Sequence, residues 1–390
     1  MLGGGLQFIV VFMIVYFWQR RNQNWHSIFI FPLSMSLIEW LISLTSVGTY
    51  QTIAYNQLHF LPVAQIAALG GYIAITFVLS LFAATISYVI VQYKNKNQAI
   101  KALIVGIIII AIVLIFGMFR LQKTSPQGHV KIGMVNITLP ITDALNANNA
   151  ETIIKYYEPS FNSLVSQGAK IIMIPEESML ATSRTQARLK QIIADYAKQH
   201  KIYLIVGVRL KLTKTYNVAW LFNPKGKLFA EYIKRHLVPN VEDKIITPKK
   251  TLTEFNYQAY KFAIAICRDM DYPKPAETYG KDDVNLLFVP AWDFKVDAWS
   301  HGRLAYMRGI EYGYTMVRAA RDGYLSVSTK TGKFVAHKYT AERMPVSLLV
   351  NTPIAQGGSF YASHRYWFLG MLIFLLAVLL IIQIYKEIRS

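Results

Sequence analysis

One cysteine, Cys267, is all the thiol that this chain of 390 residues carries. An internal disulfide is therefore impossible, and the lone thiol is either an inert core group or a working one. No Gly-x-Ser-x-Gly segment occurs, which argues against a serine hydrolase built on a nucleophile elbow. No glycine-rich phosphate loop is present, since Gly3-Gly4-Gly5 lies at the extreme N-terminus. His236 and His301 lack partners at metal-ligand spacing, so no metal is expected. Acidic residues are scarce: 22 Asp and Glu stand against 41 Lys and Arg, a net charge of +19. That surplus suits a solvated basic surface or attraction to anionic lipid headgroups. Nucleic acid is not an expected partner, because no zinc-finger, helix-turn-helix or RNA-binding signature accompanies the charge.

Charge is also missing from long runs. Leu6–Trp18, Ile28–Val47, Pro62–Tyr93, Ala102–Phe119 and Tyr366–Tyr385 are apolar, and Glu39 is the one charged residue within them. These runs predict about four transmembrane helices before a polar stretch and one after it. The first is short for a crossing unless Met1–Gly5 contribute, and it lacks the basic flank of a signal peptide. The predicted organisation is a membrane domain over 1–122, a globular domain over 123–360, and a C-terminal membrane helix with a short tail over 361–390. Arg20, Arg21, Lys94, Lys96, Lys101, Lys386 and Arg389 flank the runs, whereas Gly48–Leu61 holds no Lys or Arg. The positive-inside rule then puts the basic loops and the C-terminus in the cytoplasm, with the globular domain on the other side.

Elements alternate in the polar stretch, which reads as α/β. Strands are expected at Val130–Val135, Lys170–Ile174, Tyr203–Val208, Phe262–Ile266, Leu286–Val289, Thr315–Ala319 and Tyr324–Ser328. Helices are expected at Ala150–Gln167, Ser183–Gln199 and around Arg303–Tyr312. Asn217–Phe222 and Lys227–Tyr232 form a predicted hairpin around Asn223-Pro224-Lys225-Gly226. Gly128 and Gly357-Gly358 read as hinges.

Three chemistry-bearing residues fall at strand ends, where catalytic groups of an α/β sheet converge. Glu176 follows Ile171–Ile174 and a proline that ends the strand; a shielded carboxylate there can act as a general base. Lys234 follows the run Leu228–Ile233 and can hold an oxyanion or a thiolate. Cys267 follows Phe262–Ile266 and is succeeded by Arg268-Asp269 rather than by another apolar residue, which favours a nucleophile over a core thiol. Carboxylate, amine and thiol together are what thiol-based acyl transfer requires.

The set resembles the nitrilase (carbon–nitrogen hydrolase) superfamily, whose members carry a Glu–Lys–Cys triad on an αββα sandwich. The phrase Tyr232-x-Lys234-x-His236-Leu237-Val238-Pro239, with Glu242 after it, is similar to the membrane-bound apolipoprotein N-acyltransferase branch. So are Ile38-Glu39-Trp40, Tyr55-Asn56-Gln57, Gln65-Ile66-Ala67, Gly70-Gly71, Arg308-Gly309-Ile310-Glu311, Arg318-Ala319 and Gly323. The resemblance implies Glu176 as base, Lys234 as oxyanion holder, Cys267 as nucleophile and Glu242 as a supporting acid. It further implies Trp292, Asp269 and His236 near substrate, with no cofactor. It implies a phospholipid acyl donor, a diacylated lipoprotein acceptor, and a multi-pass place in a bacterial cytoplasmic membrane. Departures cluster in loops. Asn240-Val241 stands where the family has Phe-Gly, Arg268-Asp269 where it has Tyr-Glu, and Pro290-Ala291-Trp292-Asp293 replaces Ser-Asn-Asp-Ala-Trp. Set beside the family, the chain also looks short of N-terminal helices. Two rival readings are a membrane-tethered amidase or nitrilase-type hydrolase with water as acceptor, and a catalytically inactive membrane scaffold.

Overall fold

The structure, a computed structural model, describes residues 2–50, 52–137, 150–242, 244–247, 252–341 and 345–389. It divides into two compact units, Met1–Thr124 with Ser359–Ser390, and Ser125–Gly358.

The first unit opens with α1 (Leu2–Arg21), a 3₁₀ turn Trp25–Phe29 and α2 (Ile30–Ser43). The short helices α3 (Leu61–Ala64) and α4 (Ala67–Gly70) precede the long α5 (Tyr72–Val91) and α6 (Lys96–Lys123). The third apolar run is thus three helices rather than one span. Gly71 breaks it with φ +70, and a Cβ there would come within 2.4 Å of the Tyr361 ring. Glu39 is buried in this unit, where its carboxylate accepts from the hydroxyls of Thr52 and Thr76, each at 2.5 Å, and from Ile53 N–H at 3.0 Å. The lone charge of the apolar runs is therefore satisfied by local donors.

In the second unit the described residues build two mixed sheets, one of seven strands and one of six. The first sheet contains β1 (Gly128–Asn136), β2 (Ile171–Met173), β3 (Met179–Thr182), β4 (Tyr203–Lys211), β5 (Thr215–Phe222) and β6 (Leu228–Ile233). The second contains β7 (Thr253–Tyr257), β8 (Tyr260–Ile264), β9 (Leu286–Trp292), β10 (Thr315–Arg321), β11 (Tyr324–Ser328) and β12 (Phe334–Tyr339). The last strand, β13 (Val346–Ile354), returns to pair antiparallel with β1. The first sheet runs β13-β1-β2-β4-β5-β6 with β3 beside β4, and the second runs in chain order from β7 to β12.

Helices α7 (Ala150–Ser166) and α8 (Gln186–His200) pack on the first sheet; α9 (Pro273–Lys281) and α10 (Ala298–Tyr312) belong with the second. This is the αββα sandwich. Leu189, Ile193 and Tyr196 of α8 form one buried face at helical spacing and meet Leu204, Val206, Trp220 and Phe222. Two further helices, α11 (Phe360–Ser363) and α12 (Trp367–Arg389), complete the first unit. Among the described residues four helices are long and apolar enough to cross a membrane: Trp25–Ser43, Tyr72–Val91, Lys96–Lys123 and Trp367–Tyr385.

Candidate active site

Glu176 sits in the turn after β2. Pro175 cannot donate to a ladder, so pairing stops after Ile174, whose N–H still reaches Ile205 O at 3.0 Å. The turn is fastened by Ser178 Oγ, which donates to Pro175 O at 2.8 Å. Gly207 on β4 passes directly beneath: a Cβ there would lie 2.1 Å from Pro175 O and 2.7 Å from Glu176 Cα. Close backbone approach therefore sets the height of the carboxylate.

Lys234 follows β6, and its N–H still pairs with Asn217 O of β5 at 2.9 Å. Its ammonium is buried and lies 2.7 Å from Glu176 Oε1 and 2.7 Å from Glu242 Oε2. Glu242 also accepts from Val238 N–H at 2.7 Å. Asn217 Nδ2 joins the two acids, donating to Glu176 Oε1 at 2.6 Å and to Glu242 Oε1 at 2.9 Å.

The strand expected at Phe262–Ile266 ends earlier, at Ile264. Cys267 opens a 3₁₀ turn, Cys267–Asp271, with φ +44. A non-glycine residue in this region carries strain, and such strain persists where surrounding contacts over-determine it. Asp269 supplies those contacts. Fully buried, it accepts from Ile266 N–H, Arg235 N–H, His236 N–H and the Tyr232 hydroxyl, between 2.7 and 3.1 Å. It thus locks the cysteine turn to the lysine loop. The Cys267 thiol donates to Trp292 O at 3.7 Å.

Glu176, Lys234, Glu242, Cys267 and Trp292 line one cavity of about 470 Å³. Val241, Trp292, Phe294 and Val296, also lining it, are exposed large apolar side chains. Neither Asp269 nor His236, expected near substrate, is among the residues lining this cavity. Asp269 has no exposed surface, and His236 is turned to Asp269 at 3.0 Å and stacked on Tyr272 at 3.9 Å. Asp269 is the acceptor that the buried turn needs for three converging backbone N–H groups, and His236 packs against it.

Burial raises the Glu176 pKa; Lys234 pulls it down, Glu242 and Glu177 push it back up, and the net direction is upward. Burial opposes the Lys234 ammonium, but Glu176, Cys267 and Glu242 outweigh it, so the lysine stays charged well beyond its usual range. Burial, Glu176 and Asp293 hold the Cys267 pKa well above that of a free thiol, against the pull of Lys234 and Arg318. The resting sulfur is therefore a neutral thiol that needs a base. Moving its proton to Glu176 conserves the net charge of the pocket, so no additional charge is buried.

Sequence reasoning missed Asn217, which reads as an ordinary polar strand residue. It also missed the buried pair Asp293–Arg318, bidentate at 2.7 and 2.5 Å, beside Trp292. Gly323, where a Cβ would lie 2.2 Å from Asp293 Oδ2, leaves room for that pair.

Comparison with known proteins matches residues 132–339 to the carbon–nitrogen hydrolase family and residues 1–85 to the apolipoprotein N-acyltransferase N-terminal domain. An apolipoprotein N-acyltransferase of Geobacter metallireducens is 20% identical over 352 residues, covering 82% of this chain and 68% of that protein. An omega-amidase of Danio rerio is 27% identical over 179 residues, covering 41% of this chain and 62% of that protein. Among solved structures, an amidase from the nitrilase superfamily of Nesterenkonia AN1 superposes with TM-score 0.53 and 16% identity, covering 63% of this chain and 99% of that one. The last likeness speaks to the fold alone.

Proposed function

We propose that this chain, which belongs to the carbon–nitrogen hydrolase family, moves a fatty acyl group from a phospholipid to the N-terminal amine of a diacylglyceryl-cysteine lipoprotein. The observation carrying the reading is the coexistence of a buried Glu–Lys–Cys cavity with N-terminal helices that match the apolipoprotein N-acyltransferases. The long apolar helices would hold the protein in a bacterial membrane, with basic loops inside and the cavity unit outside.

The reaction runs in two halves. Glu176 takes the Cys267 proton, and the thiolate attacks the ester carbonyl of the donor. Lys234 and a backbone N–H following Cys267 hold the tetrahedral oxyanion; each such donor is typically worth about 10²–10³ in rate. Collapse breaks the C–O bond, the departing lysophospholipid oxygen takes the proton from Glu176, and a thioester remains on Cys267. The neutral acceptor amine then attacks the thioester and yields its proton to Glu176. The C–S bond breaks, the N-acyl product leaves, and the sulfur recovers its proton.

A second reading, carbon–nitrogen hydrolysis with water as acceptor, is favoured by the likeness of the cavity unit to an omega-amidase. Detergent-purified protein incubated with phospholipid and a diacylated lipopeptide separates the two. N-acylated peptide is the expected product. Release of free fatty acid without peptide acylation, or of ammonia from amide substrates, would favour the hydrolase instead.

A further inference from the structure

We infer that Asn217 is a positioning residue that decides which oxygen of which glutamate receives the proton of Cys267. The inference rests on the reading of Cys267 as nucleophile and Glu176 as its base, and it goes on to name the proton-accepting atom. Asn217 is fully buried on β5, and a single Nδ2 donates to Glu176 Oε1 and to Glu242 Oε1. Lys234 Nζ adds a second donor to the same Glu176 Oε1. Oε1 is thereby occupied twice, while Oε2 makes no hydrogen bond among the described residues and belongs to a side chain lining the cavity. Oε2 is the oxygen left to take a proton.

Glu242 is treated differently. Its Oε2 accepts from Lys234 Nζ and Val238 N–H, and its Oε1 from Asn217. Both Glu242 oxygens therefore already carry donors, three in all. Glu176 has two, both on Oε1, and keeps Oε2 open. The shared amide thus bridges the two carboxylates and leaves Glu176 Oε2 as the oxygen without a donor. The Asn217 backbone carbonyl also accepts the Lys234 backbone N–H, so one residue anchors the lysine's main chain and bridges both acids.

The charged groups facing Glu176 are Lys234 and Glu242, then Glu177 with its partner Arg209 on β4, and the Cys267 thiol. Asp293 and Arg318 face the thiol from the strands behind it. Removing the Asn217 donor withdraws stabilisation from the Glu176 carboxylate, and none of these other groups replaces it.

The test is the pH dependence of Cys267 alkylation by iodoacetamide in the full-length, detergent-purified protein. It needs no lipid and no acyl acceptor. Wild type should alkylate more slowly as the pH falls through the Glu176 pKa, and Glu176→Gln should abolish that limb. Asn217→Ser should move the limb upward by about half a pH unit or more, slowing alkylation about threefold on the limb. Asn217→Asp, an isosteric change that swaps the donor for an acid, should move it further and covers the case in which the serine variant misfolds. A limb at the wild-type position in either folded variant overturns the inference. A limb that survives Glu176→Gln overturns the assignment of the base, and the inference with it. Acyl transfer failing while the limb behaves as stated would count against the proposed substrates alone.

Discussion

At the scale of single residues, the site is a small charge ledger: two buried carboxylates, one buried ammonium and one neutral thiol. The base must be ionised to work, and burial lifts its pKa. Activity should therefore fall with falling pH through a value above the ordinary glutamate value of about 4.3. Lys234 should add no basic limb at accessible pH, because its pKa is raised. A pH–rate profile of acyl transfer checks this. A limb at or below the ordinary glutamate value would contradict it, and Glu176→Gln should cost about 10²–10⁴ in rate. The residue types Glu176, Lys234 and Cys267 were legible because each closes an apolar run. Asn217 was not, because a polar residue near the start of a strand looks the same whether it faces solvent or bridges two acids. Asp269 and His236, which the resemblance put near substrate, lie outside the cavity lining: Asp269 accepts from three backbone N–H groups, and His236 packs between Asp269 and Tyr272.

At the scale of elements, the carboxylate height depends on β4 passing close under the turn after β2. Gly207→Ala would press a methyl group against Pro175 O and Glu176 Cα, backbone atoms that cannot rotate away. The expected result is a loss of about 1–3 kcal/mol in stability from overpacking. Turnover should drop tenfold or more, since a misplacement of about 1 Å can cost ~10²-fold. Gly370→Ala, where no atom lies within 4 Å of the new methyl, should change neither melting temperature nor rate. Central strands were legible from their buried apolar runs, and the hairpin from Asn223-Pro224-Lys225-Gly226. The strands that escaped were β3, β7, β12 and β13, each with a single neighbour in its sheet. β3, β7 and β12 are only four to six residues long and offer little periodic signal, whereas β13, at nine residues, escaped although its run is largely apolar. The Pro62–Tyr93 run failed as one span because apolarity does not reveal the positive φ that Gly71 supplies.

At the scale of the whole molecule, two compact units account for the split composition, one rich in long apolar helices and one a sandwich. The proposed orientation makes a labelling prediction. In a Cys267→Ala background, Lys225→Cys lies in an exposed turn of the sandwich and should react with a membrane-impermeant maleimide in intact spheroplasts. Lys94→Cys, in an exposed basic loop, should react only after the membrane is opened. The reverse pattern would invert the topology. The central claim, that the buried acids and ammonium let Cys267 carry an acyl group, is tested most directly by intact mass spectrometry of the protein after exposure to phospholipid. The account predicts a mass gain of one acyl chain, lost on adding diacylated lipopeptide and absent in Cys267→Ala. No gain in the wild-type protein, or the same gain in Cys267→Ala, would contradict it.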